Sequence, residues 1–539
     1  MRNERKSFDL QSPAEFLTGL WRRVRREWIV CFASSVLVGL LTHFYKFVNW
    51  LPNWDSLVFR HDPQNMTSLG RWFLRFACIP TTSYDLPWVG GVVSLVYIAL
   101  AGVGVCALFK VRSRLVAALV GAFLAAAPTV TSTMTYNYVA DGYELAFLFS
   151  VLSTLLFNAG GVCRILLGVI LLACSLGVYQ PYVGVTMTLM IVLLVDGLLF
   201  RQEGAKASLA RAGRFLAGGV GACLVYLLCM KLALALGRTG LSEYIWDEGS
   251  GVGVSLDWHY AANVVRKSLR CIRDFFFDVR FGMNTYVFVN GVFFAALVAL
   301  TLGAVVRSRV FRSPARLLLL LAYCASAPVC ACPMYLVRPD ARYHTLMTMG
   351  FVSALVYFAL FYERRVFGSL RLENAKRWFV VLWGGLMVYC YALIANVSYH
   401  KLQMAFWGSY GEVVRMAAGI EQTPGANDCR TLAVLGVKPD SRHWSAFVGF
   451  EMTGVTDGSL LRPDDYMVNQ SVITATLNDY CQKDFRFATV EERRALAADP
   501  RVRKMPFWPA FGSIAVVGDC VVLRLGEGAG LYDEPQGHH

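Results

Sequence analysis

Charge is what this sequence has least of. Asp, Glu, Lys and Arg together make up 16% of its 539 residues, against about 25% in an average soluble protein. Hydrophobic residues make up 56%, and mean hydropathy is +0.47. Length alone would suggest roughly three to five soluble domains. Repeated apolar runs of about 17–25 residues exclude that and place the chain in a bilayer many times. A secreted disulfide scaffold, a disordered chain and a soluble nucleotide enzyme with a tail are excluded with it.

Other absences narrow the class. No CxxC pair occurs among the 15 cysteines, and twelve of them precede residue 397, most inside apolar runs. There they act as small hydrophobes rather than zinc ligands. No Walker A run is present, which speaks against ATP-driven transport. Gly249, Gly251 and Gly253 lie close together, but no strand-to-helix unit surrounds them, so they read as a flexible loop. No cytoplasmic soluble domain is apparent that could bind a nucleotide sugar. The energy for any outward-facing chemistry is then lipid-borne or absent. No RNA-binding or zinc-finger signature accompanies the net charge of +14. That charge reads as membrane orientation and contact with anionic lipids, not nucleic acid. No small-residue cleavage site closes the first apolar run after Arg22, Arg23, Arg25 and Arg26, so it reads as a retained helix.

What is there is a series of eleven apolar spans, at about 28–48, 87–109, 114–132, 143–159, 164–179, 182–200, 214–235, 285–306, 317–333, 346–362 and 378–396. The segments on the amino-terminal side of the bilayer carry 24 Lys and Arg; the short loops opposite carry five. The positive-inside rule then sets the amino terminus in the cytoplasm and, with an odd count, the carboxyl terminus outside. The fold class expected is a polytopic α-helical membrane protein with about 11 transmembrane helices over 1–396. It is followed by a soluble extracytoplasmic α+β domain over 397–539.

Two outer segments are long. In 236–284, the stretch His259 to Phe281 mixes Arg266, Lys267, Arg270 and Arg273 with Phe275, Phe276 and Phe277. Such a mixture suits a helix lying in the membrane interface, or a surface helix packed on the protein. In the tail, Thr431–Lys438 and Ser513–Leu525 are β-branched runs, and Thr489 with Glu492 forms a capping box. Outside the cytoplasm one pair among Cys429, Cys481 and Cys520 can be oxidised. His538 and His539 read as a tag remnant.

The informative polar residues are those where a span meets an outer loop. Asp55 follows span one, among Trp50, Trp54 and Phe59. A carboxylate in a partly dry cleft can act as general base towards a hydroxyl; the alternatives are a solvated or a helix-capping Asp. Arg71 can pair a phosphate in bidentate fashion, or bridge to Asp55, Asp62 or a lipid headgroup. Arg338, Asp340, Arg342 and His344 follow span nine on the same side and can complete a phosphate clamp, or serve as ordinary loop charges. Asp141 and Glu144 open span four beside Tyr136, Tyr138 and Tyr143, and Tyr179 and Gln180 form the turn between spans five and six. These aromatics suit a sugar face or the interfacial belt. Asp464 and Asp465 lack a metal-site context.

In order along the chain, Asn53-Trp54-Asp55-Ser56-Leu57 is followed by Gly70-Arg71-Trp72-Phe73. Tyr136-Asn137-Tyr138, Val178-Tyr179-Gln180-Pro181-Tyr182, and Met505-Pro506-Phe507-Trp508-Pro509 through Gly512-Ser513-Ile514 come after. This set resembles the bacterial GtrII-type glucosyltransferases of the GT-C superfamily. Many members of that family carry two adjacent carboxylates where this chain has Trp54-Asp55. Asp55 is therefore the one direct match, and Asp62 the candidate for a second carboxylate.

The resemblance implies a GT-C-like enzyme of the bacterial cytoplasmic membrane. It would move a single sugar, glucose, from a polyprenyl-phosphate donor such as undecaprenyl phosphate-glucose to a cell-surface glycan or lipid-linked glycan. Asp55 would be the base; Arg71, Arg338 and Arg342 would hold the leaving phosphate. Asp62, Trp72, Tyr138, Asp141, Tyr179, Gln180 and His344 would line the substrate. No cofactor or metal is implied. Two competing classes stand beside it. A flippase for lipid-linked sugars would be polytopic too, but the long outer tail and the lack of an evident inverted repeat count against it. Its mark would be charge near the bilayer midplane, of which there is little; Lys231 in span seven is one candidate, and it can also snorkel. A glycan polymerase or ligase would move an oligosaccharide block instead.

Overall fold

The computed structural model describes residues 12–58, 66–81, 84–241, 257–278, 284–339, 343–437 and 466–526, with 452, 454, 455 and 459–461. After a short helix α1 (Pro13–Arg23) come α2 (Arg26–Val48), α3 (Trp54–Val58), α4 (Leu74–Ala77), α5 (Pro87–Phe109), α6 (Arg114–Ala126), α7 (Pro128–Met134), α8 (Ala140–Ala159), α9 (Val162–Val178), α10 (Val183–Phe200) and α11 (Ala205–Gly237). Then follow α12 (Trp258–Phe277), α13 (Asn284–Ser308), α14 (Pro314–Ala331), α15 (Val352–Leu360) and α16 (Leu370–Glu421). Among the described residues eight helices are long and apolar enough to cross a membrane. A bent pair, α6 with α7, passes the same test jointly, and two shorter apolar helices, Val162–Val178 and Thr345–Leu360, complete the set. Each of the eleven expected spans falls on one of these helices.

Short connections make successive helices antiparallel neighbours. Only Gly160 and Gly161 separate α8 from α9, and 110–113 separate α5 from α6. The segments 49–53, 66–81, 84–86, 135–139, 179–182, 333–339 and 343–344 therefore gather at one end of the bundle.

Close packing relies on small residues, because apolar side chains gain little by leaving lipid for protein. A Cβ at Gly121 would lie 2.3 Å from the carbonyl oxygen of Cys31, so α6 meets α2 backbone to surface. Gly102 makes a similar approach to the Cys31 sulfur. Pro128 has no N–H to continue the helix, and the chain bends by 43° between α6 and α7. Beside that break, His43 of α2 donates from Nε2 to the Ala125 carbonyl at 2.8 Å. Its Nδ1 then accepts from Tyr399 Oη of α16 at 2.6 Å. One buried imidazole thus ties three helices at the bend.

The helix α12 lies beside the bundle. Val264, Ser268, Phe275 and Phe276 are buried, while Trp258, Val265 and Leu269 are exposed. Tyr260 Oη donates to Leu336 O at 2.7 Å and Lys267 Nζ to Pro339 O at 2.6 Å. The helix therefore packs on the protein and braces the segment after α14.

The last span does not stop at 396. Leu370–Glu421 is one helix of 52 residues, about 78 Å at 1.5 Å per residue, far longer than the ~30 Å hydrocarbon core. The boundary drawn at 396/397 falls inside it: hydropathy changes there, but no proline interrupts the backbone. The helix continues as a stalk into the tail. The tail holds β1 (Thr431–Leu435), α17 (Tyr466–Cys481), β2 (Arg486–Phe487), α18 (Val490–Ala498), α19 (Pro500–Arg503), β3 (Ile514–Val517) and β4 (Cys520–Arg524). Its sheet has the order β2-β1-β4-β3, with β1 parallel to both neighbours and β3 antiparallel to β4. The run Ser513–Leu525 is thus a hairpin, turning at Gly518 with φ +66. The capping box at Thr489 and Glu492 is present. Cys429, Cys481 and Cys520 are free thiols.

Candidate functional site

Asp55 lies in the first turn of α3, half-buried. The helix is capped not by Asp55 but by Asn53, whose Oδ1 accepts from Ser56 N at 2.8 Å. Ser56 Oγ in turn reaches Thr135 O at 3.4 Å. That contact sets α3 against the Tyr136–Tyr138 turn. Both phenols are pushed up by burial and then by the negative charge of Asp55, with Arg71 opposing. Asp55 and Arg71 therefore bear on the same two tyrosines from either sign.

Arg71 is delivered by a tight turn. Gly70 has φ +74, the left-handed region that a Cβ disfavours. A Cβ there would also lie 2.6 Å from Tyr226 Oη and 2.9 Å from Gln180 Nε2. Gln180 Nε2 donates to Leu69 O at 3.1 Å and to Tyr226 Oη at 3.2 Å, and Tyr226 Oη donates to Gly70 O at 3.2 Å. Phe73 N donates to Gly177 O at 2.8 Å. Thus held, the Arg71 guanidinium donates to Tyr143 Oη at 3.1 Å and lies over the Tyr179 ring, 5.0 Å from its centroid. Tyr143 and Tyr179 are stacked at 4.6 Å with 13° between planes, and Tyr182 stands edge-on to both. A guanidinium laid flat on a stacked tyrosine face has its plane fixed, and a planar fork of fixed orientation suits a phosphate.

The segment after α14 meets the same turn. A Cβ at Gly184 would lie 3.1 Å from Pro333 Cδ. Tyr343 packs on Tyr335 at 5.0 Å and lies within electrostatic reach of Tyr179. Arg338, half-buried, follows the turn Pro333–Leu336, its N–H donating to Met334 O at 2.8 Å. Arg338 and His344 both have partners in the structure. Both belong to the end of the bundle that holds Arg71.

Other expected site residues are engaged differently. Asp141 is fully buried and accepts from Gly142 N at 2.9 Å, with Cys78 and Thr81 beside it. It sits in the first turn of α8, where a carboxylate favours the helix dipole. Trp72 packs its indole on Gly177, where a Cβ would come within 2.6 Å. Gln180 braces the Gly70 turn. Tyr138 is buried beside Tyr136. Asp62, Asp340 and Arg342 lie outside the described residues, as do Asp464 and Asp465. Among the described residues no three His, Cys, Asp or Glu side chains gather as a metal site.

Two site residues had no signal in the sequence. Tyr226 is one aromatic within a long apolar helix, and nothing in its spacing marks it as a brace. Lys46, buried near the end of α2, donates to the Leu51 carbonyl and is in the field of Asp85. It fixes the start of the loop that carries Asp55.

With this geometry in view, the comparison with known families is decisive. A family model described as Glucosyl transferase GtrII matches residues 44–361, more than half of the chain. The chain belongs to the GtrII glucosyl transferase family. No curated protein matches it. The GtrII match runs from within α2 to the end of α15 and so includes every site residue from Asp55 to His344. The stalk and tail, with the Met505–Ile514 motif, lie outside it. Membership makes the chain a glycosyltransferase built on apolar membrane helices.

Proposed function

We propose that the chain transfers glucose from a polyprenyl-phosphate donor to a glycan acceptor at the outer face of a bacterial cytoplasmic membrane, on a GT-C-like scaffold of eleven spans. The amino terminus is cytoplasmic and the tail is outside, above the acceptor side. The observation that carries this reading is the Arg71 guanidinium set on the Tyr143–Tyr179 stack, with Asp55 charging the same tyrosine cluster.

In the reaction, Asp55 takes the proton of the acceptor hydroxyl as its oxygen attacks the anomeric carbon of the donor sugar. The bond between that carbon and the phosphate oxygen breaks, and the lipid phosphate leaves with the electron pair. Arg71, with Arg338 and Arg342, offsets the charge that develops on it; such preorganised donors often supply the largest single share of catalysis. Transfer inverts the anomeric centre, since attack is direct. Tyr138, Tyr179 and His344, with Asp62, form the substrate surroundings, while Gln180, Trp72 and Asp141 brace the turns beside them. Neither cofactor nor metal enters the scheme.

The test is transfer by the purified protein in nanodiscs, supplied with polyprenyl phosphate-glucose and an acceptor glycan. Single-sugar addition with release of lipid phosphate supports the reading. Movement of intact sugar-lipid without bond cleavage, or transfer of an oligosaccharide block, overturns it. Asp55→Asn is expected to lower turnover by about 100-fold or more, the scale of a lost general base, with unchanged thermal stability. Near-normal turnover removes Asp55 from the mechanism. Arg71→Ala is expected to raise the donor KM and lower kcat; unchanged donor kinetics would end the phosphate role.

A further inference from the structure

One carboxyl in the bundle has no task in this scheme. Glu144 is 0% exposed, and both of its carboxyl oxygens lack a hydrogen-bond partner among the described residues. Among the described residues, burial alone acts on its ionisation. The large majority of buried side-chain polar atoms have a hydrogen-bond partner, and an ionisable side chain inside a membrane bundle marks a working site by default. Asp141, one turn earlier on α8, shows the contrast: it is equally buried but accepts from Gly142 N.

Its surroundings say what it awaits. Glu144 directly follows Tyr143, which holds Arg71. The Tyr182 phenol lies in the field of the Glu144 carboxyl and 3.5 Å from Thr133 Oγ1. Tyr182 also closes the aromatic layer, 5.5 Å from Tyr179 and 6.1 Å from Tyr143. The tyrosine layer thus has a guanidinium over Tyr179 and an unsatisfied carboxyl whose field reaches Tyr182. A phosphate with a hydroxyl-rich group attached matches that polarity: the guanidinium takes the anion, and the carboxyl accepts from hydroxyls.

We propose that Glu144 is the sugar-recognition residue of the donor site, accepting hydrogen bonds from hydroxyls of the hexose whose phosphate Arg71 holds. The proposal rests on the glucosyl-transfer reading above. It makes Glu144 a specificity determinant, not the base: it removes no proton and stays outside the bond exchange. A site that hydrogen-bonds a substrate hydroxyl rejects the analogue lacking it, because the buried partner is then left unpaired.

Monodeoxyglucosyl polyprenyl phosphates test this with the full-length protein, Glu144→Gln and Glu144→Leu in nanodiscs. For at least one deoxy position, the unaltered protein should lose roughly 10- to 100-fold in kcat/KM. In Glu144→Leu that penalty should vanish, and in Glu144→Gln it should shrink, while the penalty for the remaining deoxy positions persists. A merely structural carboxyl would lower all donors together and leave their ratios unchanged; that result overturns the proposal, as does full activity and selectivity in Glu144→Leu. If Glu144→Leu fails to fold, the near-isosteric Glu144→Gln decides by the same ratios. Unaltered protein inert with glucosyl donor overturns the transfer reading and this inference together, whereas normal transfer with unchanged ratios overturns this inference alone.

Discussion

Arg71 and Gln180 are both polar residues at a loop mouth, yet their duties differ. Gln180 spends its amide on Leu69 O and Tyr226 Oη, and in doing so aims the arginine. The strain point is Gly70, with φ +74 and 2.6 Å between a notional Cβ and Tyr226 Oη. A left-handed L-residue costs about 1–2 kcal/mol, before the clash. Gly70→Ala is therefore expected to lower donor kcat/KM by about tenfold or more, and Tyr226→Phe added to it should restore part of the loss by removing the clashing hydroxyl. Steady-state kinetics of the single and double variants check this. Arg71→Lys should not substitute, since an ammonium cannot offer the planar fork that a phosphate takes in two places. The motif Gly70-Arg71-Trp72 was readable as a unit. That Tyr143, 72 residues away, is its partner was not, because hydrophobic runs carry no information about which face of one helix meets which face of another.

At the scale of elements, the bend at Pro128 and the tail helix α18 show two kinds of control. The bend frees the Ala125 carbonyl, and His43 caps it while accepting from Tyr399. His43→Leu leaves two buried groups without partners, at about 1–3 kcal/mol each. A clear drop in Tm in detergent, with the secondary structure content kept, is the expected result. In the tail, Glu492 at the start of α18 bonds the Arg486 guanidinium at 2.6 and 2.8 Å and accepts from Thr489 N. These bonds, the Arg486 pair first, hold its carboxyl down from 4.5 to about 2. A carboxyl depressed in the folded state adds stability above its unfolded pKa and loses it as pH falls through the folded value. Tail unfolding, followed by hydrogen exchange, should show Glu492→Gln destabilised near neutral pH. The difference should close between pH 4.5 and about 2. The capping box was legible because it is a four-residue pattern; the His43 lock was not, since its partners come from two distant helices.

A long helix and an aromatic cluster around Trp50 join tail and bundle. The stalk α16 carries the tail out, and α17 returns it to the first loop. There Trp50 meets Phe406 at 5.5 Å and Tyr480 at 5.9 Å. Gly454 lies against Thr135 and Tyr136, so the tail touches both segments that flank Asp55. Tail and bundle should consequently respond together. Trp50→Ala and Tyr480→Ala should each increase proteolytic nicking of the tail and reduce turnover. Their double-mutant coupling in thermal unfolding should be about 0.5–1.5 kcal/mol, as for other aromatic pairs. Additive effects would mean that the contact does not join the two parts.

Composition, run length and four-residue patterns determined that the chain is a polytopic helical protein with a small α+β tail. Scattered loop motifs, in their order, determined its family. These are local properties, and each can be read within one stretch of chain. Only the tertiary structure decided that Asn53 and not Asp55 caps α3, that Gln180 braces rather than faces outward, and that Arg71 rests on Tyr179. It also decided that Glu144 finds no hydrogen-bond partner among the described residues. The reason is physical: a side chain's role depends on what the other helices bring against it, and helix-to-helix register is set by close packing of residues far apart in sequence.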